Sequence, residues 1–337
     1  MLDHMESLFQ RIGPLGFGGA SIGNLYRSVS EERAEAVLLA AVDGGIRYID
    51  TAPFYGFGLS EKRIGHVLAD CSATSGFVLS SKVGRRLSAA PGVDLTAIRS
   101  GFVSPEPYEA VFDYSYDAVM RSWEESRQRL HCKRIDILFA HDLGKRTHGD
   151  EHVKHFRTFI EGGYRALRNL RDSGEISAIG LGVNEVEICI EALQHIELDV
   201  ILLASRYTLL EQTPIDLLFP MCAEKGVRII AGGPYSSGVL ATGAKSDARY
   251  DYGVVPENVS EKVRRIERIC KAYEIPLPTA ALRFPLGHPR VTTVLPGLEK
   301  KDQVRAALEA MSIPIPSALW DELKHAGLLH PGAPTDF

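Results

Sequence analysis

Apolar residues along the chain fall into two recurring patterns. Short unbroken runs occur at Leu15–Ala20, Arg47–Asp50, Phe77–Lys82, Ile135–His141, Ala178–Val183, Val200–Ala204, Val227–Ala231 and Thr292–Leu295. Their continuity, in place of strict alternation, predicts strands buried on both faces, as in a parallel sheet covered by helices. The glycines of the first run, Gly16, Gly18 and Gly19, clear space for other backbone or for a ligand. Between the runs, apolar residues recur at three- and four-residue spacing. Ser30 caps one such helix, with Glu31 and Glu32 in its first turn, Ala34, Val37, Leu38 and Ala41 along its inner face, and Gly44-Gly45 at its end. Similar patterns start at Ser60 and cover Tyr114–Leu130, Phe159–Asp172, Val186–His195, Pro214–Lys225, Ser260–Tyr273 and Lys300–Met311. Eight strands alternating with helices predict one (β/α)8 barrel over residues 1–337, with Ser317–Ala326 as an appended C-terminal helix. Gly84–Phe112, rich in Pro, Gly and Ser, and the stretch after His141 read as long loops.

Three of the runs end in side chains that carry chemistry. Arg47–Asp50 ends in a carboxylate, with Tyr55 following across Pro53; Phe77–Lys82 ends in an amine and Ile135–His141 in an imidazole. In a closed barrel these strand ends share one rim, the face on which such barrels react. A phenol ordinarily titrates near 10, and a fixed ammonium beside it stabilises the phenolate. Lys82 is expected to supply that charge, Asp50 to keep Lys82 protonated, and His141 to hydrogen-bond the substrate oxygen. The bland alternative is an Asp50–Lys82 ion pair plugging the barrel mouth, with Tyr55 as a loop anchor.

Charge and composition narrow the class. A net charge of −5 gives no basic surplus for nucleic acid or an anionic membrane, so a small molecule is the expected partner. The N-terminal residues include Asp3 and Glu6 and no apolar stretch, and no run approaches the length of a membrane span; a cytoplasmic protein, monomeric or homodimeric, is expected. Five scattered cysteines, Cys71, Cys132, Cys189, Cys222 and Cys270, form no C-x-x-C pair and read as inert thiols. His148, His152 and His155 would face one way on a helix, but the charges around them predict a solvated segment, and no metal is expected. Gly16-x-Gly18-x-x-Ser21 lacks the third glycine of a Rossmann loop. Ser236-Ser237-Gly238 after the seventh run could wrap a pyrophosphate with backbone N–H groups.

Asp50-Thr51-Ala52-Pro53-Phe54-Tyr55-Gly56, followed by Lys82 and His141, resembles the D-T-A-x-x-Y-G signature and downstream residues of the aldo-keto reductase superfamily. The segments 15–25, 111–117 and 229–240 resemble its branch of L-fucose, D-threo-aldose and L-galactose dehydrogenases, to which a pyridoxal 4-dehydrogenase also belongs. The resemblance implies hydride transfer between a nicotinamide dinucleotide and a carbinol or carbonyl carbon, with Tyr55, Lys82, Asp50 and His141 catalytic. It implies cofactor contacts at Gly19, Asn184, Ser205, Tyr235, Ser237, Gly238, Leu240, Gly297 and Gln303. The tyrosine that stacks on the nicotinamide in many relatives falls at Gly232, leaving Tyr235 or another ring for that face. NADP-using relatives place a lysine and an arginine around the 2′-phosphate; here Gly297 and Gln303 stand in those slots and Glu299 would repel a phosphate, so NAD is favoured over NADP despite nearby Lys300, Lys301 and Arg305. The expected substrate is an aldose lactol oxidised at C1. Pyridoxal oxidation and a slow-turnover, redox-sensing accessory subunit are the alternatives.

Overall fold

The computed structural model describes residues 2–70, 76–245 and 247–335; Cys71 lies outside them. Eight strands follow the predicted runs: β1 (Phe17–Gly18), β2 (Tyr48–Asp50), β3 (Val78–Val83), β4 (Ile137–His141), β5 (Ala178–Val183), β6 (Val200–Ala204), β7 (Arg228–Gly232) and β8 (Val291–Leu295). They hydrogen-bond in chain order, all parallel. Parallel bridges Leu15–Val294 and Gly18–Gly297 join β8 back to the first strand, with the Gly16 N–H 2.9 Å from Val294 O and the Val294 N–H 3.0 Å from Pro14 O. The ring is a closed (β/α)8 barrel, so no strand edge is left open.

Alternate strand residues fill the inside. Tyr48, Val78, Ile137, Phe139, Val200, Leu202, Ile230 and Leu295 make one buried cluster, while their neighbours along each strand pack outward on the helix layer. Space for Phe139 comes from Gly180, where a Cβ would stand 2.2 Å from Val200 O and 2.7 Å from the Phe139 ring. The far end of the barrel is plugged by Leu8, Phe9 and Ile12 of an N-terminal helix, Leu2–Ile12, which the strand and helix patterns did not predict.

The long 84–112 loop is also more ordered than its composition predicts. Arg85–Ala89 pairs antiparallel with Tyr108–Phe112, and a smaller pair, Ile98–Arg99 with Phe102–Val103, sits at its tip. This hairpin stands over the rim where β2, β3 and β4 end. A short helix, Leu277–Arg283, precedes β8, and Ser317–His325 forms the appended C-terminal helix. Among the described residues, no helix is long and apolar enough to cross a membrane.

Candidate active site

Parallel register sets the rim. Asp50 pairs with Ser80, Lys82 with Phe139 and His141 with Gly182, so the ends of β2, β3 and β4 lie side by side. Lys82 Nζ donates to Asp50 Oδ2 at 2.6 Å and to Thr51 O at 2.8 Å. Ser80 Oγ donates to Asp50 Oδ1 at 2.6 Å and accepts in turn from Tyr48 OH at 2.8 Å. Both oxygens of the carboxylate are therefore satisfied, as a buried charge requires. Burial raises the Asp50 carboxyl above its ordinary value, against the pull of the Lys82 ammonium.

Tyr55 hangs over this pair from the β2 loop. Lys82 Nζ is 4.7 Å from its ring centroid, and the His141 ring lies 6.0 Å away at 86°, edge to face. His141 is held from behind, since Tyr114 OH donates to its carbonyl oxygen at 2.7 Å. Burial, then Arg85 and Lys82, push the imidazole well below 6.5, so it is neutral at pH 7.

Besides Lys82, a second cation stands near Tyr55. Burial pushes the phenol well above 10, Asp50 and Asp142 push the same way, and the cation opposing them is Arg85. Lys82, ion-paired with Asp50 at 2.6 Å, also stays close to the phenol. Arg85 was not singled out in the sequence, and neither was its partner Asp142, 3.1 Å from it.

A groove of about 500 Å³ runs from Asp50 and Tyr55, across Gly18 and Gly19, to Gly297, Glu299 and Gln303. Of the residues implied for the cofactor, Gly19, Ser205, Tyr235, Ser237, Gly238, Gly297 and Gln303 line it. Leu240 does not: it is wholly buried, with its N–H on Tyr235 O at 3.1 Å. Asn184 stands one contact back from the groove, its carbonyl accepting from Arg206 Nε at 2.6 Å and its side chain bonded to Tyr252, which lines it. The N–H groups of Ser236 and Gly238 are committed within the turn, to Gly233 O and Tyr235 O at 2.9 Å each. Gln303 Oε1 is likewise committed, accepting from Glu299 N at 2.9 Å and Lys300 N at 3.1 Å.

A floor bare of side chains at Gly18, Gly19, Gly232 and Gly297 fits a long, flat dinucleotide. Tyr252 also borders the groove and was missed in the sequence; its N–H donates to Ser237 Oγ at 3.0 Å. Asp251 beside it bridges Arg146 and Arg206, each at 2.9 Å. Asp251 and Tyr252, both at positive φ, make the turn of a short hairpin, Arg249–Tyr250 with Gly253–Val254, that brings Tyr252 to the groove.

The histidines noted in the sequence divide. His148 and His155 lie with ring centroids 4.1 Å apart, His148 Nε2 meeting Tyr114 OH at 3.0 Å, whereas His152 Nδ1 turns to Gly149 O at 3.1 Å. Among the described residues, no group of His, Cys, Asp and Glu is placed to hold a metal ion.

Known proteins resemble this chain in sequence and in fold. A profile of the aldo/keto reductase family matches residues 14–327. Pyridoxal 4-dehydrogenase of Microbacterium luteolum is 38% identical over 323 residues, covering 94% of each chain. D-threo-aldose 1-dehydrogenase of a Pseudomonas species is 37% identical over 324 residues, covering 94% of this chain and 95% of that one. L-galactose dehydrogenase of Arabidopsis thaliana is 26% identical over 306 residues, covering 90% of this chain and 85% of that one. An aldo-keto reductase from Bacillus halodurans, solved in its holo form, superposes with a TM-score of 0.71 at 22% identity, over 96% of this chain and 94% of that one. With its barrel, its rim and its matched length, the chain belongs to the aldo/keto reductase family, nicotinamide-dependent oxidoreductases of carbonyl and carbinol groups.

Proposed function

We propose that the enzyme oxidises the cyclic hemiacetal of an aldose at C1 to the lactone, with NAD as acceptor. The observation that carries the reading is the place of Tyr55, between the buried Lys82 ammonium and the His141 edge at the end of the groove. His141, neutral, takes the substrate hydroxyl oxygen as a hydrogen-bond partner and sets the angle at which it meets Tyr55 Oη. Tyr55, once ionised, accepts the hydroxyl proton as the carbonyl forms. The nicotinamide, when bound, supplies the acceptor for the C1 hydride. The resting phenol is protonated, because Lys82 with Asp50 and Arg85 with Asp142 balance in pairs and leave no surplus positive charge at the rim. Turnover in the oxidative direction is therefore expected to rise with pH through the alkaline range.

Support for NAD comes from the far end of the groove. Glu299 is 8% exposed there and is held by Arg27 Nη1 at 3.2 Å, with the Arg33 Nε–H on its carbonyl at 3.0 Å. A carboxylate fixed in that position accepts hydrogen bonds from ribose hydroxyls and repels a 2′-phosphate.

A second reading is favoured by the aromatic wall. Phe54 meets Phe102 edge-on with ring centroids 5.3 Å apart and lies under the Arg85 guanidinium at 4.1 Å. That flat surface suits the hemiacetal of pyridoxal. Following NADH absorbance with L-fucose, L-galactose, D-arabinose and pyridoxal, each with NAD+ and NADP+, tests both. Turnover with a sugar and NAD+ supports the first reading, turnover with pyridoxal alone supports the second, and no turnover with any of them defeats both.

A further inference from the structure

The oxygen Asp142 Oδ2 is shared between two groups. Arg85 Nη2 stands 3.1 Å from it and His141 Nε2 stands 3.5 Å from it. The first distance is that of a hydrogen bond; the second lies beyond the usual N–H···O range. All three side chains are largely buried, with 13% of Arg85, 15% of Asp142 and 7% of His141 exposed. On its other side the imidazole has nothing, since Nδ1 is buried without a hydrogen-bond partner among the described residues. The atoms at Nε2 alone decide what the ring does.

The local backbone is built to keep Asp142 where it is. Its positive φ is left-handed, a conformation that costs energy for a residue with a Cβ and that turns the side chain back beside the preceding histidine. Two contacts fix that turn: the Asp142 N–H on Gly182 O at 3.0 Å, and Tyr114 OH at 3.3 Å from the Asp142 carbonyl. Arg85 is fixed as firmly. Its guanidinium carbon lies 4.1 Å from the centroid of Phe54 and 4.8 Å from that of Phe112, so it is sandwiched between two rings while one end holds the carboxylate.

We infer that Arg85 is a positioning residue of the reaction: by holding Asp142 it keeps that carboxylate from capturing His141 as an ion pair, and leaves Nε2 to the substrate oxygen. This rests on the reading of His141 as the group that meets that oxygen. Without the guanidinium, the carboxylate 3.5 Å from the imidazole keeps only Lys82 and Arg146 nearby, each already ion-paired, to Asp50 and Asp251, and the pair resolves by proton uptake at His141. The other groups around the ring do not substitute for Arg85. Lys82 is committed to Asp50 and Thr51 O; Arg146 is committed to Asp251; Tyr55 is neutral; Tyr114 is spent on backbone carbonyls and His148; and Tyr252 is a phenol with no charge to offer.

The test is the titration of His141 itself, followed by NMR in protein labelled with [13Cε1]-histidine and assigned with His141→Gln. In Arg85→Gln the midpoint should rise by about one pH unit or more over the wild-type protein. In Arg85→Gln/Asp142→Asn it should return to within about half a unit of wild type, because the unpaired carboxylate is gone. If Arg85→Gln does not fold, Arg85→Lys and Arg85→Lys/Asp142→Asn are read in the same way, with a smaller rise expected since lysine cannot span the two rings and the carboxylate. In parallel, kcat/KM of the single variant should fall about tenfold on the acid side for each unit of that rise, and recover in the double variant. An unmoved or lowered midpoint in the single variant, or a raised one that persists in the double variant, overturns the inference. Full turnover by His141→Gln would instead overturn the role given to His141, and the midpoints would still decide the coupling between Arg85 and Asp142.

Discussion

Lys82 Nζ stands 2.6 Å from Asp50 Oδ2, and the two side chains are 2% and 3% exposed. A pair this deeply buried is costly to break on one side only, because the remaining charge has neither water nor partner. Lys82→Met is expected to lose about 3–5 kcal/mol of stability as well as activity, whereas Lys82→Met/Asp50→Leu should recover most of the stability and none of the activity. Urea unfolding of both variants checks this. Equal destabilisation of the two would mean that the pair is not the source of the cost.

At the far end of the groove, Glu299→Ala is expected to lower the preference for NAD+ over NADP+ by about tenfold in kcat/KM, by removing the charge that repels a 2′-phosphate and freeing Arg27 to meet it. Steady-state kinetics with both cofactors measures the ratio. An unchanged ratio would place cofactor choice elsewhere.

How much of this was legible in the sequence follows from where each residue's signal comes from. Asp50, Lys82 and His141 could be read because each closes an apolar run, and a parallel barrel brings strand ends to one rim. Arg85 and Asp142 could not. Asp142 follows a strand in a left-handed turn that no residue type announces, and Arg85 lies in a hairpin whose exposed, Pro- and Gly-rich sequence reads as a loop. The N-terminal helix was hidden because Leu8, Phe9 and Ile12 bury against the barrel end, a contact with no counterpart in local periodicity. Leu240 was drawn into the cofactor set by its place in a matching segment, yet its side chain points into the core.

Gly84 shows how tightly the rim is supported. Its φ is positive and a Cβ there would stand 2.1 Å from the Tyr114 ring, the same tyrosine whose hydroxyl holds the His141 carbonyl. Gly84→Ala is expected to cost about 2–4 kcal/mol from backbone strain and overpacking together. It should also lower kcat, because Tyr114 cannot move without releasing the end of β4. Thermal unfolding with single-turnover kinetics checks both effects.

One contribution to the pH dependence of stability can be isolated. Burial lowers His288 to about 4 from an ordinary 6.5, so the folded protein binds this proton less readily than the unfolded chain. The contribution is fully present above pH 6.5 and is lost progressively as the pH falls toward 4. Raised carboxyls such as Asp142 and Glu185 act in the opposite sense, so the effect is read as a difference between proteins. Between pH 7.5 and pH 5, His288→Gln is expected to lose less of its urea midpoint than the wild-type enzyme does. An identical loss would mean that His288 takes up its proton without unfolding.

The most direct measurement is turnover by Tyr55→Phe, a change that removes one oxygen and keeps the ring between Lys82 and His141. With folding confirmed by circular dichroism and NAD+ binding by fluorescence, NADH formation on the best substrate of the panel should fall by about 10²–10⁴-fold. A variant that binds the cofactor and turns over within a few fold of wild type would show that the proton leaves by another route.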